Sequence, residues 1–226
     1  MGDGERLAAA DPYFYVCTDQ AAPHTPAERR RFFDRGAKVA DELLSEVETD
    51  LPGWSTTLEI GCGVGRLLLP TAQRFDEARG VDVSPTMLAL LEANTRERGI
   101  SNVRGYLPES DWDEPAGSAD YVFSILVFQH IETAETIETY VRRIGRALRA
   151  GGVAQLQFDT RPPTLLAGVR AVLPDTLLPR TQRRGIRRVR RDAAWVHDVL
   201  GSSGLELLRE REAGTAAHRF IVRRPA

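Results

Sequence analysis

The residues best placed to do chemistry lie in Glu59-Ile-Gly-Cys-Gly-Val-Gly65. Gly61, Gly63 and Gly65 alternate behind a short apolar run, Thr57 and Leu58, and ahead of a helical pattern from Val64 to Phe75. Glycine costs little where φ is positive or where a neighbour must press on the backbone. A strand, a glycine turn and a helix N-terminus present bare N–H groups and the positive end of a dipole to a ligand. Glu59 and Cys62 complete this turn, and Glu59 adds a negative group. That set suits a ligand carrying both a carboxylate and a cation better than a pyrophosphate. The dinucleotide fingerprint G-x-G-x-x-G needs a third glycine where this chain has Arg66.

A second acid ends the apolar run Ala78 to Val83. Asp82 follows the glycine turn by about twenty residues, the separation of a ribose-binding carboxylate. Ser84 reads as an N-cap and Pro85 as a first helical residue. The helix they open carries the stripe Met87, Leu88, Leu90 and Leu91 and closes at Gly99. Val83 and Met87 are candidates to cover an adenine ring, with core packing the alternative for Met87.

The elements that must position these groups alternate in type. Strands are expected at 57–60, 78–83, 102–107, 120–126 and 153–159, with helices at 64–75, 84–98 and 134–149. An amphipathic helix from Pro26 to about Glu48 precedes them, with Phe32, Phe33, Val39, Leu43, Leu44 and Val47 on its apolar side. Asp192 caps a last helix, and Leu205–Arg211 and Arg219–Arg223 follow as strands. The pattern predicts an α/β fold: a doubly wound, mostly parallel seven-stranded sheet, helices on both faces, and a C-terminal antiparallel strand pair. Residues 1–50 are expected to form an N-terminal lid or helical segment, and 51–226 one domain with an insert at 161–191. Tyr13, Tyr15 and Phe33 are lid candidates, with core packing equally open.

Ligands of such sheets bind at the carboxyl ends of the strands. The fourth strand ends in Val127-Phe-Gln-His-Ile131, so His130 is a candidate general base and Gln129 a candidate for bonding cofactor or acceptor. Asp159, ending the fifth strand, is a second candidate base; a turn carboxylate ahead of Arg161 is the reading preferred for it.

The chain resembles the class I S-adenosylmethionine-dependent methyltransferases. The matching words are Leu58-Glu-Ile-Gly-Cys-Gly-Val-Gly-Arg66, Gly80-Val-Asp-Val-Ser84, Ser118-Ala-Asp-Tyr-Val-Phe-Ser124, Phe128-Gln-His-Ile131 and Leu148-Arg-Ala-Gly-Gly152. They fall in the family's order across residues 57–160, and the match over 192–223 is looser. The resemblance implies S-adenosylmethionine as cofactor, with Glu59 and the glycine backbone holding its methionine moiety and Asp82 its ribose. Members usually carry a short acid after the third strand, bonded to the adenine amino group. The nearest residues here are Glu109, Ser110 and Asp111, and spacing favours Glu109 or Ser110.

Composition narrows the class. A chain of 226 residues suits one sizeable core. The net charge of −2 gives no global pull towards nucleic acid or anionic lipid. Arg180, Arg183, Arg184, Arg187, Arg188, Arg190 and Arg191 crowd one stretch, which reads as a solvated face, an anionic-acceptor site or an RNA contact. That stretch carries no aromatic residue for base stacking, which weighs against nucleic acid. Two cysteines, Cys17 and Cys62, make no disulfide framework or zinc cluster. No signal-like leader and no run long enough to span a membrane is seen, so a cytoplasmic location is expected. The fourth strand ends in neutral residues, and no metal site is expected. The reading is methyl transfer to an O or N atom of a small molecule, plausibly a metabolite or natural-product intermediate, by a monomer or homodimer. The alternatives are RNA or protein methylation and a non-catalytic binding subunit.

Overall fold

The computed structural model describes residues 25–162 and 188–226. The expectations for Tyr13, Tyr15, Cys17, most of the 161–191 insert and the arginines at 180–187 lie outside these residues. The elements are α1 (Pro26–Ser45), β1 (Thr56–Ile60), α2 (Leu68–Ala72), β2 (Glu77–Val81), α3 (Pro85–Glu97), β3 (Val103–Tyr106), β4 (Ala119–Ser124), a 3₁₀ turn (Phe128–His130), α4 (Ala134–Ala147), β5 (Leu148–Phe158), α5 (Ala193–Ser202), β6 (Glu206–Arg211) and β7 (His218–Arg223).

The seven strands run in the order β3-β2-β1-β4-β5-β7-β6. Strands β1 to β5 pair in parallel, and β7 is antiparallel to both β5 and β6. The order reverses between β1 and β4, so a crevice opens there at the carboxyl ends of the strands. Ser124 Oγ donates to the Ile60 carbonyl at 3.2 Å and ties the two strands together at that fork.

Side chains alternate across the sheet. Leu58, Ile60, Val122, Leu156 and Phe158 meet α4 and α5 on one face through Ile137, Val141, Ile144, Val196 and Leu200. On the other face Tyr121, Phe123 and Val153 meet Leu43 and Leu44 of α1 and Val47 just after it. Phe32 and Phe33 pack with Leu68, Leu69, Met87 and Leu91, joining α1, α2 and α3. Burying this apolar surface is the main force holding the helices on the sheet.

Local chemistry sets the helix ends. Thr25 and Glu28 form a capping box ahead of Pro26. Ser84 accepts the Met87 N–H, and Asp192 accepts the Ala194 N–H, as their types predict. The helix expected over 64–75 is only Leu68–Ala72. Gly61, Gly63 and Gly65 all take positive φ, so the chain is still turning before Leu68. Pro70 then offers no N–H to the Arg66 carbonyl. Gly36 of α1 presses on that carbonyl, where a Cβ would collide with it.

Candidate active site

Glu59 lies at the floor of the crevice, 3% exposed, on the face of β1 that meets α2. Its Oε2 is buried and has no hydrogen-bond partner. Burial pushes its carboxyl well above the usual range; the Arg66 charge opposes this, the Asp82 charge adds to it, and the Leu68 main chain opposes it. A buried acceptor left unsatisfied is costly unless a ligand completes it.

The glycine turn is less bare than its sequence suggests. The N–H groups of Gly61 and Cys62 both donate to the Val81 carbonyl, at 2.7 and 3.0 Å, and the Gly65 N–H donates to Cys62. Gly63 N–H donates to Asp82 Oδ2 at 2.9 Å. These bonds fasten the turn to β2. The glycines serve the turn by their positive φ and by close packing, more than by free donors. Gly61 has φ 77°, and a Cβ there would strike Val127 after β4. The Cys62 thiol is buried in the helical core, and burial raises its pKa well above the ordinary value.

Asp82 follows β2 directly. Its Oδ1 accepts the Ser84 N–H at 2.9 Å and its Oδ2 the Gly63 N–H. The carboxylate thus ties the glycine turn to the start of α3. Val83, beside it, is 60% exposed. Leu107, after β3, is also exposed, and the Tyr106 carbonyl accepts the Asp82 N–H, so the two strand tips lie side by side. Two exposed apolar side chains here form a surface suited to a flat ring. Met87 is different: it is buried among Cys62, Val64 and Leu68 and packs the core. Phe33 packs in the same cluster.

Glu109 and Ser110 line a groove of about 530 Å³ together with Asp111, Asp113, Arg142 and Arg143. Ser110 Oγ donates to the Leu107 carbonyl at 2.6 Å. Arg143, which sequence reasoning missed, fastens this loop to α4. It donates to the carbonyls of Pro108 and Ser110 and to Asp113 Oδ1 at 2.5, 2.7 and 2.5 Å, and its guanidinium lies over Trp112. The Arg142-Arg143 pair on an otherwise amphipathic helix is the only trace of it in the sequence. Tyr140 was missed as well. Its ring packs against Trp112 and Phe128, and its hydroxyl is pushed up to about 12 by burial, then by the charges of Asp82 and Glu109.

At the tip of β4, Leu126 takes φ 64°, a strained conformation for this residue. Gln129, 1% exposed, follows in the 3₁₀ turn. One end of its amide lies 3.3 Å from His130 Nε2, and Oε1 has no partner. Asp159 is fully buried and committed: Arg161 grips both its oxygens at 2.9 and 2.5 Å. The carboxylate therefore serves an ion pair, which removes the structural basis for reading it as a base. His218, also fully buried, bonds Thr160 at 2.8 Å and lies near Glu210; burial lowers its pKa.

The strand tips thus bring together Glu59, the glycine turn, Asp82 and Val83. They do not bring Met87 or the Cys62 thiol to that surface. An orphaned buried carboxylate oxygen, a turn of three positive-φ glycines and an exposed apolar ledge fit an amino-acid-bearing nucleoside.

Residues 58–154 match the family model described as a methyltransferase domain. The chain is similar to a trans-aconitate 2-methyltransferase of Azoarcus sp. (strain BH72), 27% identical over 201 residues, covering 78% of this chain and 67% of that protein. It is similar to a tRNA (guanine-N(7)-)-methyltransferase of Leifsonia xyli subsp. xyli, 30% identical, covering 60% of this chain and 68% of that protein. The chain spans between 43% and 67% of the length of three curated relatives it matches. The solved magnesium protoporphyrin IX methyltransferase of Synechocystis PCC 6803, with bound SAH, superposes with a TM-score of 0.61 at 20% identity, covering 96% and 99% of the two chains.

Proposed function

The chain belongs to the class I S-adenosylmethionine-dependent methyltransferases, and from that premise we propose that it methylates an O or N atom of a small molecule. The observation that carries the reading is the unpartnered Glu59 Oε2 at the floor of the crevice. It suits the ammonium of a methionine moiety. Asp82 suits the ribose hydroxyls, and Val83 and Leu107 suit the adenine face. Glu109 or Ser110 supplies the polar edge.

S-adenosylmethionine, when bound, supplies a methyl group on a sulfonium, already a good leaving group. The protein's part is to hold the acceptor in line, exclude water and, for a protonated acceptor, take a proton. His130, beside Gln129 at the tip of β4, is the candidate for that proton.

The relative named as a trans-aconitate methyltransferase favours a small acceptor, and the one named as a tRNA methyltransferase keeps RNA as the second reading. The test is incubation with methyl-labelled S-adenosylmethionine and either a small-molecule extract or total RNA. Label in a small product supports the proposal. Label only in RNA selects the second reading, and failure to bind the cofactor ends both.

A further inference from the structure

We propose that Arg190 and Arg191 form the anchor for a carboxylate, so that the acceptor is a small organic acid. The inference deepens the methyltransferase reading and rests on it. The chain that returns after the insert lies along the tips of β4 and β5. Val189 N–H donates to the Gln129 carbonyl at 2.6 Å, Arg190 bridges Asp159 in parallel, and Arg191 N–H donates to the Asp159 carbonyl at 2.9 Å. The Arg191 guanidinium thus lies just beyond the Gln129–His130 turn at the end of β4, and the Arg190 guanidinium on the chain that leaves β5.

Their partners are neutral. Arg191 donates to the carbonyls of Ile131 and Glu132 at 2.9 and 2.7 Å and lies over Trp195. Its Nε is buried without a partner. Arg190 donates to the Pro162 carbonyl. Among the described residues no carboxylate pairs with either. Asp159, whose main chain pairs with theirs, has its carboxylate already gripped by Arg161. Partial burial lowers the Arg191 pKa, in keeping with a cation that has no counter-charge beside it. Such a charge is costly to desolvate, and an entering anion offsets that cost. The guanidinium fork matches a carboxylate geometrically. Two cations on adjacent residues suffice for one carboxylate and fall short of the row of phosphates that RNA binding uses.

The experiment is calorimetric titration of succinate, tricarballylate and the neutral succinamide into the SAH-saturated full chain at low chloride. Both acids should bind and the diamide should not. Arg190→Gln should weaken acid binding about tenfold and leave SAH affinity unchanged, as loss of one charge-assisted contact implies. Arg191→Lys, which keeps the charge and loses the fork, should also weaken it. Neither acid binding to a protein that binds SAH, or equal binding by Arg190→Gln, overturns this inference and leaves the methyltransferase reading standing. A protein that fails to bind SAH overturns the underlying reading instead.

Discussion

Asp82 accepts the Gly63 main-chain N–H at 2.9 Å, so the acid after β2 buttresses the glycine turn after β1. One carboxylate then has two tasks, holding the turn and receiving ribose. Asp82→Ala should cost about 1–3 kcal/mol in cofactor binding and about 1 kcal/mol in stability, read by calorimetry and urea unfolding. Asp82→Asn, which keeps one acceptor, should lose less of both. Unchanged SAH affinity in Asp82→Ala would remove the ribose assignment.

Glu59 gives a pH signature. Burial holds its carboxyl protonated to higher pH than in the unfolded chain. The ligand-free fold therefore keeps a proton that the unfolded chain gives up. This contribution to stability is complete below the ordinary carboxylate range and is lost as pH climbs through the raised value. A cationic ligand group favours the carboxylate, so cofactor binding should expel a proton and tighten as pH rises. Calorimetry in two buffers of different ionisation enthalpy measures the release, and Glu59→Gln should abolish it. Release that persists in that variant assigns the proton elsewhere.

Gly61 has no room for a side chain. Gly61→Ala should destabilise the fold by about 1–3 kcal/mol, through strain at φ 77° and collision with Val127. Val127→Ala in the same chain should restore part of that loss, because it relieves the collision and leaves the strain. Wild-type stability for Gly61→Ala would contradict the described turn.

His130 and Asp159 should separate in kinetics. His130→Ala should slow turnover and leave SAH affinity intact. Asp159→Asn should lower stability by about 1–3 kcal/mol, since it loosens the grip of Arg161 on a buried carboxylate. Turnover lost in Asp159→Asn with full stability would return that residue to the chemistry.

Affinity for RNA, if that were the acceptor, should fall steeply with salt. A small-molecule enzyme predicts weak RNA binding and no labelled RNA product. Filter binding across a salt series checks this.

The sheet, its order of elements and the pair Glu59 and Asp82 were legible because they rest on local pattern. Apolar period, a glycine turn and a serine–proline helix start are read within a few residues. Met87 was ambiguous because a helical stripe marks burial without saying against what, and its neighbours Phe32 and Phe33 lie far back in the chain. The turn amides were read as free because their acceptor, the Val81 carbonyl, belongs to the next strand. Arg191 reaches the Ile131 carbonyl across 60 residues, and Arg143 reaches the Pro108 carbonyl across 35. No window of sequence reveals such contacts. Asp159 shows the reverse: its partner Arg161 stands two residues away, within reach of a local reading.

The central claim is that one nucleoside lies between Glu59 and Asp82, at the fork of β1 and β4. A crystal structure grown with SAH tests it most directly. The account predicts its ribose on Asp82, its adenine against Val83 and its amino group at Glu59 Oε2. Density for SAH elsewhere, or an empty crevice at saturating SAH, would contradict it.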